Sequence, residues 1–408
     1  MAYRFWKTQP VPQLDDNSRN REGPIRDFTL EPIPAEPTHL AMGYEWATID
    51  LEDDGELKEL LDLLKHHYGD FWYRSRCNNI YYNFNFSAAF LAWKLKRLNR
   101  KRDWHIGIRE SETRKLLACI FAVPEVVRVR DNSIRVADVS LLCVREEYRC
   151  RRLVPALIKE LSRRCSRDGF YQALYTTETF LPTPISKASY YSRRLDSTVG
   201  TETMTPGLRL MRDEDVGSVY SLLARYTSKF ELALEFTLDC FRNTFVDEQT
   251  SDSERVIWAY VVQDPETTSI TDFVSFFSPG YTTFEDRQDT LRQAYLYLYA
   301  SEMAFTGGSQ GLRDRLQILI NDALGLAKEA HFDVFSALSI YDNPLFLTEL
   351  KFELERVRYF YLFNYDTPYI YGGMENTLTK SDAQFKGVIG YVPTIPFSLR
   401  EILMYKDV

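Results

Sequence analysis

Between Asp138 and Pro155 the chain reads Asp-Val-Ser-Leu-Leu-Cys-Val-Arg-Glu-Glu-Tyr-Arg-Cys-Arg-Arg-Leu-Val-Pro, and this run constrains the fold more than any other. Val139 to Val144 is almost wholly apolar, the pattern of a strand covered on both faces, as in layered α/β folds. Val154, Leu157, Ile158, Leu161 and Cys165 then recur at helical spacing, with Pro155 in the first turn, where its missing N–H does no harm. Arg149, Arg151 and Arg152 stand between the two. A helix start carries unpaired N–H donors and a partial positive charge, so strand, basic turn and helix make a pocket for phosphate. The strand end can offer N–H groups to another polar atom of the same ligand. An ordinary basic surface loop fits these residues, taken alone, just as well.

At 408 residues the chain has room for two domains or one large fused unit. A net charge of −8 argues against a general nucleic-acid or anionic-membrane role. No apolar run reaches membrane-span length, and Met1 to Val11 lacks a signal-peptide core. The 26 Tyr, 26 Phe and 6 Trp favour sheet-rich architecture or long apolar grooves. Six cysteines without CxxC spacing, several in apolar segments, point to reduced thiols and a cytoplasmic protein. Five histidines without ligand spacing argue against a metal site.

Residues 1–38 read as an extended, proline-punctuated arm whose aromatics need burial against something else. Residues 39–203 supply a helix at Leu57–His67, a helix at Phe90–Leu98 and a hairpin of Trp104–Arg109 with Leu116–Val123. The central strand and helix follow, then a strand at Tyr171–Thr176. From Gly207 the order repeats: Leu208–Asp215 leads into a helix, Trp258–Val262 and Asp272–Phe277 form a hairpin, and helix Leu316–Ala330 precedes strand Phe332–Leu338. Two copies of one α/β unit, joined at Gly200–Pro206, account for this order; two unrelated α+β modules are the alternative. Residues 204–408 make the second half, with a last strand at Val388–Tyr391.

In order along the chain stand Phe5-Trp6-Lys7-Thr8-Gln9-Pro10-Val11, Glu22-Gly23-Pro24-Ile25, Phe90-Leu91-Ala92-Trp93, Trp104-His105-Ile106-Gly107-Ile108-Arg109, Leu142-Cys143-Val144, Thr271-Asp272-Phe273-Val274-Ser275-Phe276 and Phe332-Asp333-Val334-Phe335. With these the chain resembles the eukaryotic N-myristoyltransferase family. The resemblance implies two fused acetyltransferase-like (GNAT-like) halves related by a pseudo-twofold repeat. It also implies transfer of a tetradecanoyl group from myristoyl-CoA to an N-terminal glycine amine. Myristoyl-CoA is then a substrate, no prosthetic group is needed, glycine-initiated peptides are the partners, and the chain acts as a monomer. An acyl-CoA-binding paralogue without catalysis, or a transferase for another acyl chain or amine, are the alternatives.

Residue by residue, the resemblance implies an oxyanion hole from the backbone of Leu141 and Leu142. Coenzyme A contacts fall on Arg4, Phe5, Trp6, Cys143, Val144, Arg149, Cys150, Arg151, Arg152, Leu153 and Val154. Peptide contacts fall on Tyr82, Phe84, Phe86, Ser140, Thr177, Tyr190 and Ser192. A terminal carboxylate base would be Val408, with Asp333 or a water as substitute. Departures from the family gather on the peptide side. Ser140 stands for Asn, Tyr191-Ser192 for Trp-His, Glu178 for a small Gly, and Glu353-Leu354-Glu355-Arg356 for a glycine-rich turn. The acidic run before the first groove aromatic is replaced around Arg76-Cys77-Asn78-Asn79.

Overall fold

The computed structural model describes residues 5–13, 21–30, 32–68, 82–246, 255–284, 290–372 and 389–393. The first part of the chain forms β1 (Tyr44–Thr48), α1 (Asp54–His67), β2 (Tyr82–Phe86), α2 (Ala88–Leu95), β3 (His105–Glu110), β4 (Leu116–Val129) and β5 (Asn132–Val144). Then come α3 (Leu153–Arg167), β6 (Gln172–Thr177) and β7 (Ser186–Arg194). The second part forms β8 (Leu208–Leu210), α4 (Val216–Thr227), β9 (Leu232–Leu234), α5 (Leu238–Phe245), β10 (Ile257–Gln263), β11 (Ile270–Phe277) and β12 (Gly280–Phe284). It closes with β13 (Thr290–Ser301), α6 (Met303–Thr306), α7 (Gly308–Glu329), β14 (Val334–Leu338), β15 (Glu353–Phe363) and β16 (Ile389–Gly390).

The strands join one mixed sheet whose main path runs β1-β3-β4-β5-β6-β15-β7-β14-β13-β11-β10-β8. Read from both edges inward, the order is the same: β1-β3-β4-β5-β6 on one side mirrors β8-β10-β11-β13-β14 on the other. Each side holds one parallel pair, β5 with β6 and β13 with β14, and each pair is linked through a long helix. Such links suit a helix laid on the sheet face. The middle of the sheet is an exchange. β7 follows β6 in sequence but pairs with β14, and β15 follows β14 but pairs with β6. The two also pair with each other, so the halves interlock at the centre.

Local signals explain the element ends. Asp53 and Ser87 cap α1 and α2 by accepting from the Glu56 and Phe90 amides, so both helices start before their first apolar residues. α2 accordingly begins at Ala88 and ends at Leu95, earlier than the apolar spacing suggests. β4 continues past Val123 through Pro124 because its pairing with β3 has already ended at Phe121. On that side a missing N–H breaks no ladder. β2 is held against β12, and Gly280 makes this possible: a Cβ there would lie 1.9 Å from the Asn85 carbonyl oxygen. In the first half the sheet separates two apolar layers. α1 and α2 pack on one face, and α3 with Trp6 and Val11 of the arm packs on the other.

Candidate active site

The site begins with a register shift in β5. Cys143 stands opposite Cys119 and Ser140 opposite Phe121, so Leu141 and Leu142 together face the single residue Ile120. This is a β-bulge. Leu141 has φ 53°, in the left-handed region, at a cost of roughly 1–2 kcal/mol for a residue with a Cβ. The extra residue also resets the alternation. Val136, Leu141 and Cys143 point into the α1–α2 layer, and Ala137, Val139, Leu142 and Val144 into the α3 layer.

Next to the bulge the sheet opens. β5 pairs with β6 only from Val136 to Asp138, so the stretch from Val139 to Val144 has no β6 partner. Between the parted strands and α3 lies a narrow, almost wholly apolar cleft, about 60 Å³ of which is open to the centre of a water-sized sphere. Val139, Ile158, Leu161, Phe170, Tyr175 and Trp6 line it. Trp6 is buried and stacked on Tyr175 at 5.9 Å, and its Nε1 has no hydrogen-bond partner among the described residues. Phe5 packs edge-on against Trp6 at 5.2 Å.

The basic turn is held in a strained form. Cys150 (φ 65°) and Arg152 (φ 60°) are both left-handed, and α3 starts immediately after. Arg149 before them is extended (φ −60°, ψ 155°), so the chain turns sharply from the strand end onto the helix. Leu153 and Val154 are buried and anchor the helix start, while Cys150 is exposed. The three arginines separate by environment. Arg149 turns inward and donates to the His67 carbonyl at 3.1 Å. Arg151 donates to the Tyr44 hydroxyl at 3.2 Å and lies over the Tyr148 ring. Arg152 is exposed and has no side-chain partner among the described residues. Burial, helped by the Arg145 charge, lowers the pKa of His67, so its ring favours the neutral form beside the Glu146 amide at 3.3 Å.

A feature the sequence reading missed ties the arm to α3. Glu160 is fully buried, accepts from Arg163 at 2.7 Å and Arg164 at 2.9 Å, and takes the Thr38 amide at 2.9 Å. Burial raises its pKa, but these donors prevail and hold it at about 2. Spacing on α3 shows Glu160 beside the two arginines; only the fold shows the arm's amide arriving.

The peptide-side residues meet along a run of aromatic rings. Phe84 touches Phe86 at 4.9 Å, Phe86 stacks on Phe90 at 5.9 Å, and Phe90 on Phe277 at 6.1 Å. Phe277 meets Tyr295 at 5.6 Å, and Tyr295 meets Tyr190 edge-on at 5.9 Å. Ser192 shares a 2.5 Å bond with Ser336. Thr177 is fully buried and accepts from the Thr179 amide at 3.0 Å. Ser140 is buried with its hydroxyl unpartnered among the described residues, directly before the bulge. Arg4, the Tyr82 side chain and Val408 lie outside the described residues.

Beside Ser140 sits a second feature the sequence reading missed. Asp138 is buried in an ion pair with Lys94 of α2 and accepts from the Tyr391 hydroxyl at 2.8 Å. Segment 389–393 therefore runs past the central strand. The two charges, each in an otherwise apolar run, were the available signal. Asp333, considered above as a base, is exposed and instead accepts from the Arg292 amide at 2.7 Å, which removes it from the reaction centre.

A bulged central strand, parted from its parallel neighbour beside an apolar cleft and followed by a basic turn onto a helix, defines the acyl-CoA-dependent transferase class. Residues 24–188 match the N-terminal domain model of myristoyl-CoA:protein N-myristoyltransferase, and residues 183–392 match its C-terminal domain model. The glycylpeptide N-tetradecanoyltransferase of Aspergillus fumigatus is 42% identical over 417 residues, covering 96% of this chain and 83% of that protein. The Saccharomyces cerevisiae enzyme is 35% identical over 425 residues, covering 96% and 91%. The crystal structure of S. cerevisiae N-myristoyltransferase with bound myristoyl-CoA superimposes with a TM-score of 0.86 at 34% identity, over 96% of this chain and 94% of that one. The chain belongs to the N-myristoyltransferase family.

Proposed function

We propose that this chain moves a tetradecanoyl group from its coenzyme A thioester to the N-terminal glycine amine of a protein, at the bulge in β5. The single observation that carries the site is that bulge. Its backbone departs from regular pairing where β6 has left, with an apolar cleft on one side and the basic turn at its end. When the amine attacks, the thioester carbonyl becomes an oxyanion, and the backbone N–H groups of Leu141 and Leu142 receive it. One such donor is worth about 2.7–4 kcal/mol in other enzymes. The acyl chain fills the cleft, where about 12 CH₂ groups at about 0.8 kcal/mol each supply about 10 kcal/mol of gross binding energy.

The pyrophosphate rests on the N–H groups around Cys150 and the start of α3, with Arg152 as the exposed cation and Arg149 and Arg151 as braces. Phe5 and Trp6 close the cleft, and the arm (1–38) with residues 39–203 forms the acyl-CoA side. Residues 204–408 add Phe277 and Tyr295 to the peptide path that starts at Phe84 and Phe86. The buried free thiols of Cys119, Cys143 and Cys165 support a reducing cytoplasm. No helix among the described residues is long and apolar enough to cross a membrane. The test is thiol release from tetradecanoyl-CoA with a short glycine-initiated peptide. Release that requires the peptide is expected; tight acyl-CoA binding without release contradicts the proposal.

A further inference from the structure

One end of the apolar cleft reaches Ile120, the residue that the bulge faces, and the other end is closed by a single ring. On the α3 face of β5 the side chains read Val139, Ala137 and then Arg135, so the apolar wall ends in a charge. Ala137 pairs with Ala173 of β6, and two such small side chains leave the width along which a hydrocarbon chain can pass. On the opposite wall α3 supplies Ile158, Leu161 and, last, Cys165. Phe170 then shuts the space. Its N–H donates to the Cys165 carbonyl at 2.9 Å, which folds the turn between α3 and β6 across the end of the cleft.

The ring is fixed from two sides. Trp104 is fully buried and meets it edge-on at 4.9 Å, and the Trp104 indole N–H donates to Asp168 of the same turn at 2.8 Å. The guanidinium of Arg135, an exposed residue, lies over the ring face at 4.1 Å. A buried ring with an aromatic at one side and a cation on its face has little freedom to swing away. Ala137 is four positions before Leu141 and Arg135 six, so at about 3.3 Å per residue the ring stands roughly 13–20 Å from the bulge. An extended tetradecanoyl chain has a length within that span. A methyl placed past the ring would lie beside a hydrated guanidinium, where the gain from burying a CH₂ is lost.

We propose that Phe170 is the stop that sets the acyl length, meeting the terminal methyl of a tetradecanoyl chain whose carbonyl lies at Leu141 and Leu142. This rests on the acyl-transfer reading above. Trp104 and Arg135 hold the ring where the chain ends. Selection is therefore steep on the long side, where the chain runs into a braced ring. It is shallower on the short side, where each missing CH₂ removes only its own contact.

The test uses the full chain with coenzyme A itself and with non-hydrolysable thioether analogues of acyl-CoA, including that of tetradecanoyl-CoA, in a ladder from ten to eighteen carbons. Affinity is read by titration calorimetry, and transfer to a glycine-initiated peptide is read separately as kcat/KM for the matching thioesters. In the native chain affinity is expected to peak at fourteen carbons and to fall about tenfold at sixteen, a steeper step than the roughly fourfold loss for each CH₂ removed. Phe170→Ala moves the peak to sixteen carbons or beyond. Phe170→Leu keeps a smaller apolar wall and moves the peak less in the same direction. Affinity for coenzyme A without an acyl group stays constant and reports that each variant is folded. A native ladder without a peak, an unchanged ladder in folded Phe170→Ala, or an equal loss at every length overturns the proposal. A ladder that shifts with Phe170 in a chain that transfers nothing supports this site and contradicts the transferase reading. Transfer of the tetradecanoyl group with a ladder indifferent to Phe170 overturns this site alone.

Discussion

Two ionisable residues, Arg152 and His105, stand in sharply different environments, and each gives a separate expectation. Arg152 is exposed and has no partner among the described residues at the start of α3, so it is available to a phosphate in a way that Arg149, bonded to the His67 carbonyl, is not. Arg152→Ala should weaken acyl-CoA binding about tenfold, or about 1.4 kcal/mol, with a smaller loss at high salt; titration calorimetry at two ionic strengths checks this. His105 is buried in β3, and burial, with Arg100 and Arg102 adding to it, lowers its pKa from 6.5 to about 4. The unfolded chain then binds a proton below pH 6.5 that the folded chain refuses until about 4. Stability is complete above 6.5 and falls by about 3 kcal/mol as pH drops through that window. Urea midpoints followed from pH 7 to 4 should decline more steeply in the native chain than in His105→Gln; parallel curves would refute the assignment.

At the scale of elements, the pairing of β5 with α3 makes the cleft, and its width should set the acyl length accepted. Ile158 lines the wall on the α3 side. Ile158→Phe fills part of that space, so the preferred acyl chain should shorten by one or two carbons. Each lost CH₂ contact shifts relative kcat/KM about fourfold in a ladder of acyl-CoA lengths, from about 0.8 kcal/mol per CH₂. Glu160 fastens the arm to the same helix through the Thr38 amide. Removing its charge leaves Arg163 and Arg164 without their shared acceptor, so Glu160→Gln should destabilise the fold by about 3 kcal/mol. It should also expose residues 32–38 to protease, which limited proteolysis would detect.

Much of this element layer was legible in the chain itself. The apolar run before three arginines and the helical spacing after them located β5, the turn and α3, because burial leaves a direct mark on residue type. The bulge left none: Leu141 and Leu142 would read identically in a regular strand, and only the register with Ile120 shows the offset. β7, β13 and β15 were also missed, since tyrosines, serines and charged residues alternate there without a clear apolar face. For β7 and β15 the flanking strands come from the other half, while β13 is flanked by β11 and β14 of its own.

For the whole molecule, the exchange of β7 and β15 makes the two halves one cooperative body, and it brings Tyr190, Glu178 and Arg358 together at the join. The order of hairpin, helix and parallel strand in each half was readable from sequence; the exchange was not, because nothing local distinguishes a strand that pairs at home from one that crosses. The interlocked sheet also fixes the relation between the apolar cleft on one face of β5 and the aromatic path on the other. In the proposed reading, the bulge is the point at which the two faces share one reacting carbon. A crystal structure of the chain with the thioether analogue of tetradecanoyl-CoA tests that arrangement most directly. The analogue's acyl chain should lie between β5, β6 and α3, with its carbonyl-equivalent position within hydrogen-bond distance of the Leu141 or Leu142 nitrogen and its pyrophosphate at Cys150–Val154. An acyl chain seated anywhere else, with both nitrogens bonded within the sheet, would contradict the account.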